Sequence, residues 1–432
     1  MGKDILKLPD SKIIKTHIFN SLKVYWDEDK LNVLSLPIVT VSNPAIKIPL
    51  KMEKIKLPPW AIDQGINGFM LIPKEAILGD PKWENIDYWL AMFLLLECWH
   101  ERIWESVHGP IHSYSYRLVG WDKRVWDHAW VNRIAIFLRV WSFKRKRENY
   151  LNMNFEPTFV ITHDVDAIKK TLAIRIKQSV FLLKNSLDLL LKGDLNLFFN
   201  RLNVFFKFLF KNEDWWMMDT VIEKEKKSNV NAIFNFYSDD RNKNFTRWLF
   251  DPSYSIRSKK MKIIFEKISA NGSSIGLHPT FDSWNSSVKI RSQKNNLEKF
   301  VSKSIRDVRQ HWLKFSWNDT WDAQSKASLK RDYTLMFNDR PGFRASAAIM
   351  WKPWNPLLSK NHVVEEIPTI IMDSHFYNYN IIDEKNVNSN ISKWINEVKF
   401  VQGHCALLWH PHTLTKDYGW EKGFDHLLSE IK

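Results

Sequence analysis

From Thr158 to Thr162 the chain carries a short apolar run after Pro157, the pattern of a strand buried on both faces of a parallel sheet. Comparable runs follow at Ala232 to Tyr237, Ser274 to Leu277, Gly342 to Ala345, Val363 to Ile367 and Ala406 to Trp409. Segments with apolar residues three and four apart separate them, as in NLEKFVSKSIRDVRQHWLKF at 296–315. Strands alternating with helices predict an α/β unit built on a parallel sheet or barrel over 155–432. A long helical interval, 173–227, interrupts it between the first two strands. Residues 1–150 read as a separate α+β accessory unit. Its first half holds β-like runs at Asn32 to Val41 and Ala45 to Leu50, punctuated by prolines, and DYWLAMFLLLECWHERIWES and 129–143 are helical in period. The basic stretch KRKRENYLNMN at 144–154 reads as a linker.

Composition narrows the class. The 432 residues are 44% hydrophobic and 26% charged, which excludes a disordered or fibrous chain. Ten of the 22 tryptophans lie in the N-terminal third, an excess that suits either stacking on sugars or a bulky core. Cys98 and Cys405 are too few for a disulfide framework, so a reducing compartment is expected. The N-terminus lacks the unbroken apolar core of a signal peptide, and the apolar run at 88–96 is too short to span a bilayer. These features together predict a cytoplasmic protein. The net charge is +15, but the basic residues are dispersed and no nucleic-acid-binding signature accompanies them, so nucleic acid is not expected as a partner. The interval 173–227, apolar with a basic residue every few positions, admits peripheral membrane contact. Packing on the barrel or a partner subunit is the reading we favour. The sequence leaves the oligomeric state open.

The chemistry concentrates at strand ends. Thr162-His163-Asp164-Val165-Asp166 places two carboxylates where a strand opens into a loop. One, Asp166, is suited to hold a metal, and Asp164 to take a proton from water that the metal has made more acidic. His278, in GLHPTFDSW at 276–284, ends another strand, and Pro279 is placed for a first helical turn. Asp282 would share a helical face with it. His311, late in the helix expected at 296–315, competes with Asp282 to be the third ligand, and we favour His311. Arg344 is suited to orient a catalytic carboxylate, and Asp373 to pair with that arginine or with a histidine. His410 directly follows the last strand and is the candidate general acid, while His412 is placed to bind or orient substrate. Trp284, Trp351 and Trp354 are candidates for a sugar-stacking floor, with core packing an equal alternative. A backbone N–H near Phe343 is the candidate donor to an oxyanion.

Taken in order, THDVD, GLHPTFDSW, the RQH element at 309–311, GFRAS at 342–346, Asp373 and LLWHPH at 407–412 resemble the polysaccharide deacetylase (NodB-like) superfamily, specifically its long cytoplasmic subgroup. The resemblance covers about 156–432 and implies an irregular (β/α) barrel. It also implies a metal-dependent hydrolase that removes acyl groups from amino sugars, with one Asp of the first motif as base and the other as ligand. Asp282 stands where the family has a second histidine, a departure that RQH would repair. The resemblance further implies a divalent ion, with zinc favoured. The expected partner is an amino-sugar glycan or a nucleotide- or lipid-linked precursor of surface polysaccharide. Two rival readings are a non-catalytic glycan-binding or scaffold protein that keeps the barrel, and a hydrolase of another acyl or amide substrate.

Overall fold

The computed structural model describes residues 6–26, 34, 36, 46–62, 68–148, 155–191, 193, 195–379 and 384–432. The run expected at Asn32 to Val41 therefore lies almost wholly outside the described residues. Residues 46–50 form no strand, as prolines remove ladder donors there. The N-terminal third instead pairs β1 (Met52–Lys56) with β2 (Phe69–Pro73) in an antiparallel hairpin. Around it lie α1 (Ser11–Ser21), α2 (Pro59–Ile62), α3 (Tyr88–Leu96), α4 (Trp99–His108) and α5 (Trp130–Lys146). Every residue of α3 is buried, and Asp87 caps it by accepting from Leu90 N at 2.9 Å.

The remainder is built on one eight-stranded parallel sheet of order β10-β7-β6-β5-β4-β3-β12-β11. Its strands are β3 (Thr158–Val165), β4 (Ala232–Phe236), β5 (Ser274–Leu277), β6 (Asp307–Val308), β7 (Arg331–Asp332), β10 (Glu365–Glu366), β11 (Thr369–Met372) and β12 (His404–Leu408). A small antiparallel pair, β8 (Trp354–Asn355) with β9 (Lys360–Asn361), stands apart. The two edge strands, β10 and β11, are nearly consecutive in the chain. Ile367 N donates to Asp332 O of β7 (3.0 Å), while Pro368 O accepts from Ala406 N of β12 (2.9 Å). The sheet therefore curls until its edges almost meet, giving the α/β barrel that the strand pattern predicted.

The helices around it are α6 (Leu172–Leu191), α7 (Leu195–Phe210), α8 (Met218–Ser228), α9 (Phe245–Phe250), α10 (Lys259–Ala270), α11 (Ser287–Val301), α12 (Thr320–Lys326), α13 (Glu384–Phe400) and α14 (Glu421–Glu430). One continuous apolar cluster runs from Ile14 and Ile18 through Trp99 and Phe137 into Ile161, Phe234, Leu277, Leu407 and Leu427. The N-terminal elements thus share a core with the barrel.

Three sequence expectations are corrected here. No helix starts at Pro279: α11 begins only after Ser286, whose hydroxyl accepts from Lys289 N, so Asp282 shares no helical face with His278. The helix expected at 296–315 ends at Val301, where Ser302 takes φ +55°, and the chain enters β6. His311 lies beyond that strand in a single 3₁₀ turn, His311–Leu313. Gly342 to Ala345 is a turn rather than a strand. Gly342 holds φ +136° against the Trp126 carbonyl, a conformation and an approach that a side chain would not permit.

Candidate metal centre and active-site pocket

Strand β3 alternates as a pleated strand should. Thr162 and Asp164 face the barrel interior. His163 points the other way, its Nδ1 donating to Trp409 O (2.6 Å) and its Nε2 facing Glu225 (2.5 Å), so it is a structural residue. Asp164 is buried at 3% exposure, and its Oδ1 accepts from Asn235 Nδ2 (2.9 Å) and Arg309 Nη1 (3.2 Å). Gly276 makes this possible, because a Cβ there would collide with the Asn235 amide. Burial pushes the Asp164 carboxyl up. The Arg309 guanidinium, with His278 and His410, outweighs it and holds the pKa below the usual range.

Arg309 is fully buried inside the barrel, and its donors are satisfied across three strands: Tyr333 O (2.9 Å), Thr162 Oγ1 (2.7 Å) and Thr369 Oγ1 (2.8 Å). Its own carbonyl accepts from His278 Nδ1 at 2.7 Å, which fixes that ring's proton and leaves the Nε2 lone pair facing Asp166 Oδ1 at 3.2 Å. His311 does the same from the other side, with Nε2 at 3.5 Å from Asp166 Oδ1 and Nδ1 at 3.4 Å from Asp251 Oδ1. Donor atoms of Asp166, His278 and His311 all lie within 4.8 Å of one another. Asp166 Oδ1 has no hydrogen-bond partner. Bonds of about 2.0–2.2 Å at tetrahedral angles put neighbouring donors about 3.4 Å apart, so the set fits a zinc-like divalent ion, with Arg309 O and Asp251 orienting the two imidazoles from behind. Burial raises the Asp166 carboxyl, but His278 and His311 bring it well below the ordinary value.

His410 follows β12. Its Nδ1 donates to Asp373 Oδ1 (2.9 Å), and its Nε2 lies 3.6 Å from Asp166 Oδ2. Asp373 is held by the His410 N–H (2.8 Å), Thr413 Oγ1 (2.9 Å) and Ser374 N (2.7 Å). Burial lowers the His410 pKa, yet Asp373 outweighs it and raises the ring to about 9. Burial, and then His410, push His412 down to about 4, leaving a neutral imidazole stacked on Trp215 at 5.5 Å.

Asp164, Asp166, His278, His311, Asp373, His410 and His412 open onto one cavity of about 270 Å³ at the C-terminal edge of the sheet, where parallel barrels assemble their sites. Its aromatic walls are Trp215, Trp248, Phe250, Trp312, Tyr418 and Trp420, with Lys177 and Phe181 contributed by α6. Trp312 sits in the left-handed region at φ +58°, which swings its indole to the cavity immediately after the His311 ligand candidate.

The structure brings together Asp164, Asp166, His278, His311, Asp373, His410 and His412. The other candidates lie elsewhere. Asp282 faces outward to Lys289 (2.6 Å) and Thr280 (2.7 Å). Arg344 is bound to Glu101 of α4 and to Met336 O (3.0 Å), so it orients neither Asp164 nor Asp373. Phe343 is completely buried, and its N–H donates to Trp126 O (2.9 Å), which removes it as an oxyanion donor. Trp351 Nε1 donates to Glu97 (3.1 Å) and Trp354 N to the same carboxylate (3.0 Å), and both rings are core. Trp284 packs edge-on against His112 and under Lys314, away from the cavity lining. Reading the sequence missed Arg309, Asn235 and the cavity aromatics. Only Arg309 carried a signal, through its place beside His311.

Fold and site together define a parallel α/β barrel with a carboxylate–imidazole centre at its C-terminal rim. No protein family and no curated protein matches the chain. Solved structures similar to it include one described as a polysaccharide deacetylase from Mycobacterium smegmatis, 14% identical over 66% of this chain and 86% of that one, TM-score 0.38. A chitin deacetylase from the fungal pathogen Colletotrichum lindemuthianum is 13% identical over 65% and 86%, TM-score 0.31. A CE4 family pseudoenzyme from Bacillus anthracis is 11% identical over 64% and 61%, TM-score 0.30. Identities this low transfer no residue's role, and what the pocket can do follows from its own side chains.

Proposed function

We propose that the protein is a metal-dependent hydrolase that removes an N-acyl group, acetyl in the simplest case, from an amino sugar. One observation carries the reading: two imidazole Nε2 atoms converge on Asp166 Oδ1, a carboxylate oxygen with no hydrogen-bond partner. Asp166, His278 and His311 would hold the ion, with zinc favoured by the mixed N/O donor set. When bound, such an ion supplies Lewis acidity toward a carbonyl oxygen and lowers the pKa of water.

The rest is the work of the chain. Asp164, kept ionised by Arg309 and Asn235, accepts the proton of the attacking water. A C–O bond forms at the acyl carbon and the C–N bond breaks. His410, kept cationic by Asp373, delivers a proton from Nε2 to the departing nitrogen, so the products are a carboxylate and an amine. The indoles of Trp312 and Trp248 offer flat apolar faces to a sugar ring. Lys177, facing the same cavity, suits a phosphate-bearing carrier, in keeping with a nucleotide- or lipid-linked precursor. Release of acetate from N-acetylated amino sugars by the metal-loaded protein tests the reading. No release from any member of a panel of sugars and their nucleotide conjugates would leave a binding protein instead.

A further inference from the structure

Surface helices ordinarily turn their apolar stripe inward and their polar face to water. Helix α6 departs from that order by carrying apolar residues on its outer face as well. Leu172, Ile176, Val180, Leu183 and Leu187 recur three and four apart and are all exposed, Leu172 by 66% and Val180 by 65%. The inner side buries Leu182 and Leu189 together with Ser179, Asn185 and Ser186. Polar contacts pin the hairpin to the barrel: Asn185 Nδ2 donates to Asn378 O (3.3 Å), and Arg201 Nη2 of α7 donates to Tyr377 O (2.8 Å). On α7 the exposed residues include Phe199, Phe206 and Phe210, the last at 73%. Beside them α9, packed on α6, presents Phe245 and Trp248, exposed by 75% and 44% and stacked at 6.0 Å. Exposed apolar residues gathered on packed neighbouring helices mark an interaction site.

Charge selects the occupant. Among the described residues of the hairpin, Lys184, Lys207 and Lys211 are exposed. Pairing two copies of this face would set like charges against each other. An anionic lipid surface would neutralise them while its acyl boundary takes up the Leu and Phe side chains. Among the described residues no helix is long and apolar enough to cross a membrane, which suits a hairpin lying in the interface.

We propose that the α6–α7 hairpin, with Phe245 of α9, docks in the plane of an anionic phospholipid bilayer. The opposite face of α6 lines the pocket through Ile174, Lys177 and Phe181, so the catalytic groups stand about one helix diameter, roughly 10 Å, from the lipid. Under the hydrolase reading, on which this consequence rests, an amino sugar can reach the pocket while its carrier stays in the membrane.

Co-sedimentation of the full chain with vesicles tests the docking without requiring catalysis. Binding to vesicles of phosphatidylcholine mixed with phosphatidylglycerol is expected to exceed binding to phosphatidylcholine alone by about tenfold or more, and to weaken with added salt. Val180→Asn/Leu183→Gln/Leu187→Gln should abolish it, and Lys184→Glu/Lys207→Glu should lower it about tenfold, each variant keeping the wild-type melting temperature. Equal binding of wild type and of the lysine variant overturns the proposal, as does a wild type that ignores vesicles. A wild type that sediments as a dimer without lipid, and becomes a monomer in the triple variant, overturns it in favour of an interface between copies. Asp164→Asn separates the two readings: its vesicle binding is expected to be unchanged, so absence of acetate release in the wild type would remove the hydrolase and leave the docking intact.

Discussion

The rim of the barrel and the seam where the N-terminal helices meet it both bury charge among aromatic rings, and they treat it in opposite ways. In the seam, Glu97 accepts from His17 (2.8 Å), Arg102 (2.6 Å), Trp351 (3.1 Å) and Trp354 N (3.0 Å). Glu101 is bound by Arg344 and by Trp317 (2.8 Å), and Glu105 by Ser316 and Trp317 N. At the rim, Asp166 Oδ1 and His412 Nδ1 are buried without a hydrogen-bond partner. Saturated networks hold elements together, whereas polar atoms that converge and stay unsaturated are available to a ligand. An arginine or tryptophan near a strand end is thus ambiguous until its partners are known.

The sharpest way to test that contrast is Asp164→Asn. Loss of the base should lower acetate release per folded molecule by roughly 10²–10⁴, with metal content held. Unchanged turnover would remove Asp164 from the reaction. The complementary variant is Arg344→Ala in the seam. Stranding Glu101 without its cation should cost about 3–5 kcal/mol of stability in denaturant titration, while the metal stays bound and turnover per folded molecule is kept. A stable variant with lost turnover would return Arg344 to the active site.

Acid sharpens the seam further. Glu397 of α13 meets Arg133 Nη2 (2.5 Å) and His128 Nδ1 (2.9 Å). Burial raises its carboxyl, but these partners, Arg133 foremost, bring it from 4.5 to about 2. A carboxyl whose pKa is depressed on folding stabilises the fold above the unfolded value and loses that contribution as pH falls through the folded one. The stability difference between wild type and Glu397→Gln should therefore be flat above about pH 4.5 and shrink by about 1.4 kcal/mol per pH unit below it. A difference independent of pH over that range would mean the carboxylate is unpaired. The smallest effect expected is at the aromatics. Trp312→Ala should raise KM by up to about tenfold through lost ring stacking, and Trp284→Ala should leave KM unchanged; the reverse pattern would restore the floor first expected at Trp284.

Much of this architecture could be read along the chain because buried parallel strands are long enough to show as apolar runs. Strands β3, β5 and β12 were expected within a few residues of where they lie, and with them Asp164, Asp166, His278 and His410 at their ends. Strands β6 and β7, two residues each, are too short to carry a pattern, so His311 was placed on a helix that stops ten residues earlier. Along the sequence Arg344 is the candidate orienting arginine because it stands beside a turn and GFRAS resembles an arginine motif. The Gly342 turn aims that side chain at the seam, and Arg309 reaches Asp164 from inside the barrel instead. Tryptophan spacing does not distinguish a cavity wall from core, since that depends on which face a loop presents after folding.

Elemental analysis of the purified chain puts the centre itself to the question. The account predicts one divalent ion per wild-type chain, retained in Asp282→Ala and lost in His278→Ala and in His311→Ala. Full retention in both histidine variants, with the fold intact, would contradict it.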